Sequence, residues 1–332
     1  MPKEPDPVGE INMAPFIPTL NGKHLTWLLE RYISSCRARL DHRYTVDGYE
    51  YQLRWFVAWW EEVGPEHGWL LQPDDFMVFE KFLRRATTES THRPLSYYTR
   101  ATIIMRLKEA LRWAQKSGYV ERDYTAWIPS AEGAPPKRRA AQVASLHQLL
   151  LAAAATYRPV RDTAIIAMLM GMGLRRAELA RINIEDVILK ADTSGYAHVT
   201  GKRTKANPSG ERDAAFDAAT GKYILAHLET VGRKSGPMFT GMRGTRMTGH
   251  GIYIMVKKAI ARAELEAEII GPHDLRRAFA THYRRNRKDK SSADMIRRQL
   301  GHAHYSQTDE YTLLDIDDIR LDMVSPLSLM EV

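Results

Sequence analysis

Apolar residues recur at helical spacing through the first third of the chain. In LTWLLERYISSCRARL, residues 25 to 40, Leu25, Leu28, Leu29, Tyr32, Ile33 and Cys36 share one stripe while Arg31, Arg37 and Arg39 lie off it, which predicts an amphipathic helix. A second stripe runs through YEYQLRWFVAWWEEVG, residues 49 to 64, with Gly64 placed to stop it. DDFMVFEKFLRRA (74 to 86) and SYYTRATIIMRLKEALRWAQKSG (96 to 118), the latter with Ser96 as N-cap and Gly118 as the residue after the C-cap, complete four helices. Their basic residues lie mostly on the polar sides, either as a solvated face or as a surface for a polyanion.

The pattern then changes twice. IPSAEGAPPKRRAAQ, residues 128 to 142, mixes Pro, Gly and Ala with the run Lys137, Arg138, Arg139, and so reads as a basic linker between two folded parts. SLHQLLLAAAATY and VRDTAIIAMLMGMGLRRAELARI give two more helical stretches and a third begun after the break at Gly171, Met172 and Gly173. GYAHVTGKRTKANPSGERDAAFD, residues 195 to 217, alternates in short runs around a Gly, Asn, Pro, Ser turn, which predicts a hairpin or a three-stranded sheet; helices return from about 218. The fold class is therefore mainly α with a small β-sheet. The expected organisation is a flexible N-terminal arm over 1–20, a helical domain over 21–128, a basic linker over 129–142, and a second domain with a C-terminal tail over 143–332.

Composition narrows the classes. At 332 residues and 44% hydrophobic content, two domains with their own cores are expected. Lys and Arg total 48 against 40 Asp and Glu, a net charge of +8 and a pI near 9.4, which suits a polyanionic partner. Cys36 is the sole cysteine, so neither an internal disulfide framework nor a cysteine-based zinc finger is available, and a reducing, cytoplasmic setting is the default. The N-terminal MPKEPDPVGEINMAPFIP lacks the apolar core of a signal peptide, and no apolar run reaches the ~18 residues of a membrane helix, so no membrane association is expected.

Four stretches of the second domain together resemble the signature of the tyrosine recombinase, or phage integrase, family: GLRRAEL (173 to 179), VTGKRTK (199 to 205), HDLRRAFATH (273 to 282) and LGHAHYSQTDEY (300 to 311). Each alone is weak, but their order and spacing, behind a helical block, are those of the simple two-domain members. Such chemistry needs these residue types. In-line attack on a phosphodiester builds charge on the non-bridging oxygens, and fixed guanidinium groups stabilise it. The resemblance implies Arg175 and Arg276 as the two catalytic arginines, Glu178 as the support of Arg175, and His273 as a proton-transfer and positioning group. It further implies His302 as a donor to the scissile phosphate and Tyr311, nine residues on, as the nucleophile. Lys202 matches the family's β-turn lysine and would be the general acid for the leaving 5′ oxygen. Here the chain departs from the family, with Arg203 where glycine is usual and a longer turn, so Lys205 stays a rival for that role.

The resemblance also implies a helical core-binding domain and an α/β catalytic domain closing on DNA as a C-shaped clamp, with Lys137, Arg138, Arg139, Arg203, Lys205 and Arg277 as DNA contacts. Four protomers would act on two duplex sites through a Holliday junction and a 3′-phosphotyrosine, with no metal or nucleotide cofactor, in integration, excision or resolution. The rivals are a type IB topoisomerase-like relaxation enzyme and a non-catalytic DNA-binding regulator of the same fold. A metal nuclease is disfavoured by the lack of ligand spacing. The tail LLDIDDIRLDMVSPLSLMEV, with Leu314, Ile316, Ile319 and Met323 among acids, is open to packing on a neighbouring subunit or on its own domain.

Overall fold

The stripe that starts at Leu25 forms α1 (Gly22–Arg39), and its six apolar positions are all buried. The next is longer than its amphipathic stretch: α2 (Arg43–Val63) begins ahead of it, runs through Gly48, and ends just before Gly64. α3 (Pro73–Arg85) and α4 (Tyr97–Lys116) follow. Both expected caps of α4 form. The Ser96 hydroxyl accepts from the Thr99 amide at 3.1 Å, and Gly118 takes φ +77°, so the amides of Tyr119 and Gly118 close back on Ala114 and Gln115. Phe56, Trp59, Phe76 and Phe79 from α2 and α3 meet in the core with ring centroids as near as 4.9 Å.

This computed structural model describes residues 22–40, 43–66, 71–88, 92–120, 123–134, 140–201, 208–286, 292–301, 323 and 325–330. Its contacts divide the chain into two compact units, Met1–Lys137 and Arg138–Val332. The expected arm, the Lys137 to Arg139 run, Lys202, Arg203, Lys205, His302, Tyr311 and most of the tail lie outside the described residues.

In the second unit, α5 (Val143–Ala154) and α6 (Pro159–Gly171) precede a short α7 (Arg176–Arg181). β1 (Val187–Leu189), β2 (Gly195–Thr200) and β3 (Glu211–Phe216) form one antiparallel sheet in that order, with Val187 opposite Ala197 and Thr200 opposite Glu211. Of the two β arrangements open in the sequence, the chain adopts the three-stranded one. α8 (Ala218–Val231), α9 (Gly249–Arg262), α10 (Pro272–Asn286) and α11 (Ser292–Leu300) complete the unit. Every residue of α6 from Asp162 to Gly171 is buried, because α6 is the central helix, packed by α5, α8 and α10.

Backbone closeness explains one glycine. A Cβ at Gly221 would lie 1.6 Å from the Thr193 carbonyl oxygen, so α8 can meet the β1–β2 turn only without a side chain there. The tail settles in cis where it is described: Met323 is buried beside Phe279, Tyr283, Met295 and Leu300, and Leu327 is buried in the main core. The Ser325 amide donates to Asp217 Oδ2 at 2.8 Å, while Asp217 Oδ1 caps α8 through the Thr220 amide.

Two glycine substitutions should therefore differ in sign. Gly221→Ala drives a Cβ into backbone, a strain of about 3 kcal/mol or more, and should lower the melting midpoint by far-UV circular dichroism by roughly 10 °C. Gly48→Ala meets nothing within 4 Å inside a helix. It should stabilise the first unit by about 0.5–1 kcal/mol. Tryptophan fluorescence reports that unit selectively, since all seven tryptophans lie between Trp27 and Trp127.

Candidate active site

A buried carboxylate organises the second unit's cations. Glu178, in the first turn of α7, is 1% exposed, and its reach back to the Arg175 amide at 2.8 Å fixes the start of that helix. The Arg175 amide is thereby occupied by Glu178 and is not open to an anion. The same carboxylate accepts from Arg175 Nη1 at 2.8 Å and from both Nη atoms of Arg212 at 3.1 and 3.0 Å, and Arg276 Nη1 lies 3.9 Å away. Burial raises the pKa of this carboxyl, but the Arg212 fork and the Arg175 bonds more than offset that and hold it at about 2.

The two arginines of the motifs converge. Arg276, 3% exposed, enters from α10 and donates to the Gly173 and Leu300 carbonyls, both at 2.7 Å. Burial first, and Arg175 next, lower its pKa to about 10, so it remains charged at neutral pH. Arg175 also reaches the Leu300 carbonyl at 3.5 Å and keeps 40% of its side chain open to solvent. Gly173 makes this convergence possible, at φ +66° and with the place of a Cβ 2.6 Å from Leu300 and 2.7 Å from Phe279.

Leu174, Arg175, Tyr253, Gly271, His273 and Arg276 line an open cavity of about 460 Å3. His273 stands at the start of α10, one turn before Arg276, behind Pro272 as expected. Partial burial, then Arg277 and Arg276, push its pKa below the usual histidine value, with Asp274 opposing. Arg277 does not join the cluster and instead pairs with Asp274 at 2.9 Å.

Arg212 and Gln299 were not singled out in the sequence. Arg212 sits on a strand whose outer end is polar, and its partner Glu178 is 34 residues away, so no local spacing marks the pair. Gln299 reads as an ordinary polar position of α11. It is 1% exposed, and its amide joins both Ala215 backbone groups and the Met172 carbonyl at 2.8–3.0 Å, so α11 is tied to β3 and to the end of α6. Among the described residues no group of three or more His, Cys, Asp or Glu is placed to hold a metal, and no helix is long and apolar enough to cross a membrane.

Removing the shared carboxylate has a signed consequence. Because the folded pKa of Glu178 lies below the usual carboxylate value, its contribution is complete above about pH 4.5 and is lost as the pH falls towards 2. Glu178→Gln should lower stability at pH 7 by about 3 kcal/mol or more, leaving three guanidinium groups without their counter-charge. In denaturant titrations followed by circular dichroism, the gap between wild type and variant should narrow as pH drops from 5 to 2. A gap independent of pH would contradict the assignment.

Comparison with known proteins agrees with this geometry. The family model described as Phage integrase family matches residues 142–316. Tyrosine recombinase XerD of Ralstonia nicotianae is 27% identical over 283 residues, covering 81% of this chain and 83% of that protein, while other curated relatives align over about half of their length. Two solved structures share the fold at 16% identity. XerH site-specific recombinase bound to palindromic difH substrate, a post-cleavage complex, has a TM-score of 0.66 over 86% of this chain and 90% of that one. A lambda integrase tetramer bound to a Holliday junction has 0.61 over 87% and 80%. With the family model spanning more than half of the sequence and the arginines of its motifs drawn to one carboxylate, the chain belongs to the phage integrase family, the tyrosine recombinases.

Proposed function

We propose that this recombinase cleaves and rejoins duplex DNA at a specific site with Tyr311 as its nucleophile. The observation that carries the reading is the pairing of a fully buried Arg276 with a half-open Arg175 at the mouth of one cavity, both fixed by Glu178 or by the Leu300 carbonyl. Two rigid guanidinium groups suit the non-bridging oxygens of a phosphate under attack, because they are already oriented when charge develops there.

In the forward step the Tyr311 oxygen bonds to phosphorus as the bond from phosphorus to the 5′ oxygen breaks. His273 accepts the tyrosine proton. Its lowered pKa keeps the imidazole neutral near pH 7 and able to do so. Lys202, or Lys205 in its place, gives a proton to the departing 5′ oxygen, and His302 donates a hydrogen bond to the phosphate. The product is a 3′-phosphotyrosine and a free 5′-hydroxyl. Attack by a 5′-hydroxyl from a partner duplex reverses each transfer and reseals the strand, so the ester keeps the bond energy and no nucleotide is consumed. The tetrameric assembly on two sites, with a Holliday junction between the exchanges, rests on the resemblance to relatives of that architecture. The basic linker residues Lys137, Arg138 and Arg139 and the turn residue Arg203 are assigned to phosphate contacts, which carry affinity without reading sequence.

The test uses duplexes that the protein itself selects from a randomised pool, nicked at successive positions of one strand. Wild type should form a covalent adduct that survives denaturation, in excess EDTA and without nucleotide, attached through the peptide containing residue 311. Tyr311→Phe should bind within a few-fold of wild type and form none, whereas Tyr305→Phe should still form it. Arg175→Lys and Arg276→Lys should slow adduct formation by on the order of 10²-fold or more with binding largely kept. A folded, DNA-binding wild type that never forms an adduct would leave the regulator reading in its place, and relaxation of supercoiled DNA without a specific site would favour the topoisomerase.

A further inference from the structure

The structure assigns Arg212 on β3 as a positioning residue of the strand-cleavage reaction, one that sets the take-off of the β2–β3 turn against the catalytic arginines. This inference rests on the recombinase reading above.

Arg212 is nearly enclosed, with 11% of its side chain exposed, so it does not meet the substrate. All three of its nitrogens are committed. Nη1 and Nη2 fork onto Glu178, and Nε donates to the Gln299 carbonyl at 2.9 Å. One planar group therefore connects β3, the first turn of α7 and the end of α11. Two glycines close on it. A Cβ at Gly301, whose φ is +64°, would lie 3.1 Å from Arg212 Cδ and 3.2 Å from its Nε. A Cβ at Gly201 would lie 2.8 Å from Glu178 Oε1 and 3.3 Å from Arg212 Nη1, and the Gly201 amide pairs with the Gly210 carbonyl at 2.7 Å to close the base of the turn.

In the sequence Gly201 is followed directly by Lys202, the group assigned to the leaving oxygen. Arg175 is held by the same carboxylate that Arg212 grips. A shift of Arg212 thus moves the take-off of the turn relative to Arg175. A lysine at 212 keeps the charge but has no fork, so it cannot span two carboxylate oxygens and the Gln299 carbonyl in one plane.

A positioning role has a signature that loss of stability lacks. If Arg212 aims the turn lysine, its variants should fail at protonating the leaving oxygen. A substrate with sulfur in place of the bridging 5′ oxygen removes that need, since the bond from phosphorus to sulfur breaks with the electron pair leaving as a thiolate that requires no proton. The experiment measures adduct formation under saturating protein on the selected nicked duplex and on its 5′-sulfur counterpart. Arg212→Lys should be slowed at least 50-fold on the oxygen substrate, bind DNA within threefold of wild type, and recover to within fivefold of wild type on the sulfur substrate. Gly201→Ala, which keeps the arginine but presses the turn off Glu178 and Arg212, should show the same rescued defect and carries the test if Arg212→Lys shows no cooperative melting transition. An oxygen-substrate rate within threefold of wild type, or an equal loss on both substrates, would overturn the proposal. Absence of any adduct with wild type would instead strike the recombinase reading itself.

Discussion

The second unit is organised around one carboxylate that three guanidinium groups approach. Glu178 takes bonds from Arg175 and Arg212 and has Arg276 at 3.9 Å, and these arginines come from the loop before α7, from β3 and from α10. None of the three cations sits comfortably alone in such a place, because desolvation of a charge is tolerable only with a counter-charge and satisfied donors. One carboxylate neutralises only part of the charge it gathers. The surplus positive charge faces the cavity through Arg175, which is still 40% exposed, and an anionic phosphate is the natural partner for it.

The same constraint sets the local backbone. Gly173 must take positive φ and carry no side chain for Leu300 and Phe279 to close, and Gly201 and Gly301 must be bare for the sheet and α11 to approach the Glu178–Arg212 pair. Gln299 then fastens α11 to β3 with a fully bonded buried amide. At the other end, Ser325 and Leu327 are fixed to Asp217 and to the core. The chain on both sides of residues 302–322 is therefore attached to the same unit that holds the arginines, and Met323 shares a cluster with Leu300.

Much of this was legible from residue order. The helices of the first unit follow from stripes such as Leu25, Leu28, Leu29 and Tyr32, where burial of one face decides the structure. Arg175 with Glu178 and His273 with Arg276 were found through the resemblance of their motifs to the family's, since short spacings on a helix single out no residue by themselves. Arg212 was not, since its partners lie 34 and 87 residues away and a polar residue near the end of a strand carries no mark of burial. Gln299 escaped for the same reason. The seat of the tail is undecidable from its apolar residues, because Met323 and Leu327 bury equal area against any complementary surface; the Asp217–Ser325 bond, a long-range pairing, ties its described end to its own unit.

The central claim is that Glu178 serves catalysis by holding Arg175, and non-additivity tests it most directly. Single-turnover cleavage rates would be compared for wild type, Glu178→Gln, Arg175→Lys and the double variant on the 5′-sulfur substrate, where the route from Glu178 through Arg212 to the turn lysine drops out, at a temperature where all four are folded. If the carboxylate acts through this guanidinium, the double variant cleaves within about threefold of Arg175→Lys alone. Defects that multiply in the double variant would contradict the account, since Glu178 would then act on cleavage by a route that does not pass through Arg175.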